Sequence, residues 1–368
     1  MFDRRLIQYF DWWLIGLTLI LGAIGLVLIY SAVTAGDAIF QETLYGKQMV
    51  WFGIGLAAMV ISFIFNYRLF DQWGGGIYII SIILLVLVLF YGKHVAGSRR
   101  WLVLGPLTIQ PSELVKISVI IVLAKYYSKR ASIQGFTLKE LFTPMLFVVI
   151  PFVLIVKQPD LGTAMLLVMI AASVTVYVKI ERRSIAWLMG SGAILVSMAW
   201  FFFLKGYQKR RILTFFNPDR DPLGAGYHII QSKIAIGSGM LFGKGFLKGT
   251  QNALSFLPEQ HTDFILSVLA EEWGFAGTGF VLFLYMLLLV WGLSIAHGCR
   301  DTFGTILSVG VTAMIFWQVF INIGMVMGLM PVVGVPLPLI SYGGSSVVTS
   351  LIGIGILMNI SMRRFMVE

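Results

Sequence analysis

Side chains able to do chemistry are scarce in this chain, and most fall in a few stretches. GSRRWLVLGPLTIQPSELVK carries Arg99, Arg100, Glu113 and Lys116. Glu113 and Lys116 are three residues apart, so on a helix they share one face. They suit either an ion pair closing the top of that helix or a pair presented to a substrate, and the two uses are compatible. KQPDLGTA sets Asp160 just before an apolar run, which is the place of an N-cap and also of a positioning acid. EQHTDF sets His261 and Asp263 ahead of Phe264 and Ile265. Apolar neighbours desolvate a carboxylate and raise its basicity, and a positioned carboxylate serves as a general base. Capping is the alternative use of Asp263.

A longer basic stretch, GYQKRRILTFFNPDRDPLGAGYHIIQSKIAIGSGMLFGKGF, supplies Lys209, Arg210, Arg211, Arg220, Lys233 and Lys244. Such cations suit lipid head groups, and arginine forks also match the geometry of a diphosphate. Its glycines either let backbone approach a substrate or make turns, and no GxxxxGK[ST] pattern is present. Glu271 and Glu272 lie farther along the run that follows Asp263, where pairing with other helices or polar groups is expected. GLMPVVGVPLPLISYGGSSVVTS is dense in proline and glycine. Irregular backbone of this kind survives at membrane depth only when buried in protein or lining a cavity. The single cysteine, Cys299, excludes an intramolecular disulfide and any thiolate metal cluster.

The elements that must position these groups are apolar. Of 368 residues, 58% are hydrophobic and 12% charged, and the mean hydropathy is +0.89. A soluble domain of this length needs more charge than that, whereas a bilayer accepts the excess. The expected fold is an all-α polytopic membrane protein. Apolar runs near 12–34, 48–66, 75–92, 112–128, 141–157, 161–179, 184–204, 270–296, 303–329 and 339–360 predict ten spans. They form one membrane domain over 1–368, with a long structured loop, 205–263, between the seventh and eighth spans. The first run is too long for a signal-peptide core and reads as a retained span. Arg4, Arg5, Lys129, Arg130, Arg182, Arg183, Arg363 and Arg364 all fall on the side of the termini. Short basic loops face the cytoplasm, so both termini are expected there. The long loop is then extracytoplasmic.

In order along the chain, GSRRW, QPSELVK, KQPDLGTA, NPDRDPLGAGYHIIQSKIAIGSG, LPEQHTDFI and GLMPVVGVPLPLISYGGSS resemble the SEDS family (shape, elongation, division and sporulation). The match covers nearly the whole chain. TQNALSFLPEQHTDF and the short termini look more like the elongation type, RodA, than the division type, FtsW. The resemblance implies a peptidoglycan glycosyltransferase of the bacterial cytoplasmic (inner) membrane. It would polymerise lipid II, an undecaprenyl-diphosphate-linked substrate, into β-1,4-linked glycan strands on the periplasmic side. Its partner would be a class B penicillin-binding protein, the crosslinking transpeptidase; no nucleic acid is involved.

Carried over residue by residue, Asp263 matches the family's essential aspartate. Glu113, Lys116 and Asp160 match polar residues of the central cavity, and Arg100 precedes the motif's tryptophan, here Trp101. Arg210 and His261 complete the expected substrate-binding set. Going from an α-linked donor to a β-linked product takes one inversion, so no covalent enzyme intermediate is needed. A divalent cation such as Mg or Mn, if used, would be held by Asp263 or Asp160, because hard cations favour carboxylate oxygens. Two other uses of the same features are a lipid II flippase, suggested by segments broken by glycine and proline, and a non-catalytic scaffold for the penicillin-binding protein.

Overall fold

The computed structural model describes residues 9–34, 38–95, 98–105, 107–130, 135–204, 206–217, 225–254, 256 and 260–363. Of the cations named above, Arg4, Arg5, Arg220 and Arg364 lie outside them. The first three helices are α1 (Trp12–Thr34), α2 (Ala38–Ile64) and α3 (Arg68–Tyr91). Three short strands follow, β1 (Lys93–Val95), β2 (Ser98–Leu104) and β3 (Leu107–Ile109), as an antiparallel meander in the order β1-β2-β3. The next helices are α4 (Pro111–Lys129), α5 (Leu138–Lys157), α6 (Leu161–Tyr177) and α7 (Arg182–Met198), the last continued by a π-helical turn, Ala199–Phe203. The long connection holds α8 (Gly206–Phe216), α9 (Ala225–Ser238) and the single turn α10 (Thr250–Ala253). The chain closes with α11 (Ile265–Gly298), α12 (Thr302–Val326) and α13 (Gly344–Arg363).

Each of the ten predicted spans overlaps one of these helices. Seven of the described helices are long and apolar enough to cross a membrane: α1, α2 from Leu44, α3, α5, α11, α12 and α13. The other three predicted spans fall short for identifiable reasons. α4 carries Glu113, Lys116, Lys125 and Lys129; α6 and α7 have 17 residues each. The strands were not foreseen: β1 and β3 have three residues each, and the seven of β2, SRRWLVL, do not alternate.

α4, α12 and α13 are buried along most of their length and form the centre. α13 packs on α2, α12 on α4, α6 and α11, and α1 on α2 and α11. Apolar side chains also point outward: Ile79, Ile80 and Phe90 from α3, Phe142 from α5, and Trp187 and Met189 from α7. Lipid is the solvent that accepts such a surface.

Two departures from regular helix shape the end of the bundle that bears the long connection, called here the loop face. The first is segment 327–343 between α12 and α13, which is not helical. A Cβ on Gly25 of α1 would stand 2.5 Å from the Leu339 carbonyl oxygen. Gly25 lies nine residues inside α1, about 13 Å along the helix from Thr34. The segment therefore dips into the bundle, as its composition led us to expect. Side chains satisfy its backbone: Gln48 donates to the Ser341 carbonyl (3.3 Å) and accepts from Gly343 N (3.2 Å), Asn322 donates to Val335 O (2.8 Å), and the Tyr285 hydroxyl donates to Pro338 O. The second departure is in α11, which breaks at Gly274 (φ 66°, ψ −162°) into a half-helix at 265–273 and a longer helix at 275–298.

Candidate active site

Asp263 stands in the turn just before the 265–273 half-helix, and its backbone is pinned. Three successive carbonyls accept hydrogen bonds: His261 O from Tyr342 N (2.8 Å), Thr262 O from the Ser341 hydroxyl (2.6 Å) and Asp263 O from Asn322 Nδ2 (2.9 Å). Phe264 and Ile265 behind it are buried, and Asp263 itself is half-buried. Its Oδ2 lies 3.2 Å from where a Cβ on Gly334 would be, and Gly334 has φ +73°. Glycine is needed there twice over, for the left-handed backbone and for the space beside the carboxylate.

The preceding residue of the same loop links this acid to Asp160. A Cβ on Gly162, in the first turn of α6, would stand 2.5 Å from the Val333 carbonyl oxygen. Standard bond lengths then put the Asp263 carboxylate within about 12 Å of the Gly162 backbone. Asp160 is the N-cap of α6, accepting from Thr163 N (3.2 Å) and the Thr163 hydroxyl (3.0 Å). Gln110 Nε2 donates to its Oδ2 at 3.3 Å, and Arg100 Nη1 lies 3.7 Å from its Oδ1.

Gln110 connects this cluster to the next pair, because it is the residue on which α4 starts, and Glu113 N donates to its carbonyl (3.0 Å). Lys116 Nζ and Glu113 Oε2 are 2.7 Å apart, with both side chains buried. The pair therefore closes the top of α4, as the i,i+3 spacing allows. Arg100, on β2, donates to the Gln158 carbonyl (3.3 Å) and to the Pro159 carbonyl, tying the strands to the Asp160 turn. His261 is half-buried, its ring 5.6 Å from that of Tyr342 in an edge-to-face contact. Arg210 is exposed on α8. Its neighbour Arg211 reaches the loop, donating to Val332 O at 3.2 Å.

The arrangement thus joins Asp263, Asp160, Gln110 and the Glu113–Lys116 pair through one loop and two helix starts. Gly334, Asn322, Ser341 and Tyr342 were not singled out in the sequence. The signal for Asn322 was present, since a polar residue in an apolar run calls for an explanation.

Among the described residues no three His, Cys, Asp or Glu side chains gather with metal-holding geometry. The Asp160 oxygens already accept from Thr163 and Gln110, so a divalent ion there would have to displace protein donors.

Residues 11–365 match the profile of the FtsW/RodA/SpoVE family, described as cell cycle protein. The chain belongs to that family. Within it, the chain is 42% identical over 343 residues to the peptidoglycan glycosyltransferase MrdB of Escherichia coli (strain K12), spanning 93% of this chain and 92% of that one. Two solved members share the fold. One comes from work on structural coordination of polymerization and crosslinking by a peptidoglycan synthase complex; it is 33% identical, with a TM-score of 0.84, over 97% of this chain and 98% of that one. The other is the rod shape determining protein RodA of Thermus thermophilus, 30% identical, with a TM-score of 0.72, over 97% and 98% of the two chains. The expected SEDS membership and RodA-like character agree with these findings.

Proposed function

We propose that Asp263 is the general base of a glycosyl transfer between lipid-linked sugars at the loop face. The chain is a peptidoglycan glycosyltransferase of the elongation type, in keeping with its relatives. In the proposed step the Asp263 carboxylate takes the proton of the acceptor sugar's 4-hydroxyl. That oxygen attacks the donor's anomeric carbon, and the bond from that carbon to the diphosphate breaks with inversion. The proton ends on Asp263, and undecaprenyl diphosphate leaves with the electron pair. A base held this way contributes roughly 10²–10⁴-fold.

Cations at the loop face answer the charge that develops on the leaving diphosphate. Arg100 and Arg210 are the ones proposed, with His261 beside the base. Lys116 is buried against Glu113, so its role is to hold that carboxylate and the top of α4. The observation that carries the reading is the Asp263 carboxylate set against Gly334, in a loop whose preceding residue meets the first turn of α6 beside Asp160.

The setting proposed is the bacterial cytoplasmic membrane, with both termini cytoplasmic and the loop face periplasmic; the basic side of the termini supports it. A class B penicillin-binding protein is the proposed partner, supported by likeness to the member solved in work on a complex that coordinates polymerization and crosslinking. The test is polymerisation of purified lipid II by the reconstituted chain. Asp263→Asn is expected to abolish glycan product while remaining folded; normal product from that variant would overturn the base assignment.

A further inference from the structure

The break in α11 is built by a second piece of chain inserted into it. Helix 265–273 ends with carbonyls that have no continuing helix to bond, and helix 275–298 begins with N–H groups in the same position. Segment 239–248 of the long connection satisfies both. Lys244 N donates to Glu271 O (2.9 Å) and Gly245 N to Glu272 O (2.9 Å), while Phe275 N donates to Met240 O (2.8 Å) and Ala276 N to Leu241 O (2.9 Å). Contact is close enough that a methyl group on Gly243 would collide with the Glu272 carbonyl, and one on Gly274 with Gly243 N. The half-helix that follows Asp263 is therefore fixed at one end by the 327–343 loop and at the other by this insert.

One side chain locks the insert. Glu271 is fully buried, and its Oε1 accepts from Lys244 Nζ (2.6 Å), the Thr250 hydroxyl (3.0 Å) and Gln251 N (3.1 Å). Its Oε2 is buried without a hydrogen-bond partner among the described residues. Beside it, Glu272 Oε1 accepts from the Ser31 hydroxyl of α1. A buried ion pair with an unsatisfied oxygen adds little net stability over an apolar replacement, because desolvation offsets the attraction. What it does specify is geometry: only one placement of 239–251 brings an ammonium, a hydroxyl and an amide to the same oxygen.

We propose that Glu271, through Lys244, is a positioning residue for Asp263: the ion pair clamps the insert that sets where the half-helix behind the base ends. This rests on Asp263 being the base. Reacting groups tolerate little displacement, about 1 Å costing about 10²-fold in rate. Loosening the clamp lowers turnover without touching substrate.

The experiment compares Glu271→Gln, Lys244→Gln and Lys244→Arg in the reconstituted polymerisation assay, with thermal unfolding of each in detergent. Each glutamine variant is expected to lower kcat by about 10- to 10²-fold with KM for lipid II held within about two-fold. Lys244→Arg keeps a cation for Glu271 and is expected to recover most of the loss. Lys244 is partly exposed, so its variant reads the same contact even where Glu271→Gln folds poorly. Unchanged kcat in Lys244→Gln would overturn the proposal, as would losses that follow the folded fraction with no recovery in Lys244→Arg. If Asp263→Asn polymerises normally, the base reading itself fails. If Asp263→Asn is inactive while both glutamine variants turn over normally, only the positioning role fails.

Discussion

Asp160 and Asp263 stand at the same face of the bundle, each at the entrance to a helix, and they are held in opposite ways. Asp160 is gripped by its carboxylate, which accepts from Thr163 and Gln110 and lies beside Arg100. Asp263 is gripped from behind, through the carbonyls of residues 261–263, and its carboxylate faces a glycine. A capping acid does its work through its oxygens. A main chain fixed as at residues 261–263 sets where the Asp263 carboxylate stands, against Gly334. Asp160 thus caps and ties the site together, and Asp263 is the proposed base in it.

The sharpest way to break that contrast is to neutralise each acid in turn. Asp263→Asn is expected to cut polymerisation by roughly 10²–10⁴-fold with little change in thermal unfolding. Asp160→Asn retains an N-cap and is expected to lose less activity than Asp263→Asn; an equal loss would erase the distinction. Next in size is Gly334→Ala. The substitution strains a left-handed residue and sets a methyl about 3.2 Å from the Asp263 carboxylate, so kcat is expected to fall by about 10²-fold. Full activity in that variant would mean the carboxylate works from elsewhere.

Asp160→Ala, by contrast, is expected to show in stability, losing about 1 kcal/mol from the cap alone, as read by thermal unfolding. The smallest effect is expected from Tyr342→Phe. A phenol stays neutral where a carboxylate titrates. With Asp263 as the proposed base, activity is expected to fall toward acid pH. That acidic limb should persist in Tyr342→Phe, and its disappearance would move the titration from Asp263 to its surroundings. At the far end of the bundle, burial, reinforced by Asp301 and Cys299, pushes Tyr67 from 10.0 up to about 12. Its share of stability is complete below pH 10 and lost as pH climbs toward 12, which alkaline unfolding would register.

Helices were legible because hydrophobic run length is a one-dimensional property, and every predicted span overlaps one. The Glu113–Lys116 pair and the Asp160 cap were legible too, since both depend on neighbours three residues apart. What escaped the sequence depends on distant partners. Through Gly274, residues 270–296 read as one span. Only backbone from residues 240–245, about 30 positions earlier, explains why the helix can break there. The second use of Arg100 escaped as well: besides its proposed place beside the substrate, its guanidinium donates to the carbonyls of residues 158 and 159, and sequence gives a side chain's charge but not the carbonyls within its reach.

The dipping segment also dictates an order of construction. Its main-chain groups are satisfied by Gln48 of α2, Tyr285 of α11 and Asn322 of α12, together with the turn at 261–263. Each such group left bare in hydrocarbon costs several kcal/mol, so residues 327–343 can settle only after those helices have come together. The rim around Asp263 therefore cannot take shape before α2, α11 and α12 have met, and a partly assembled copy in the membrane lacks it.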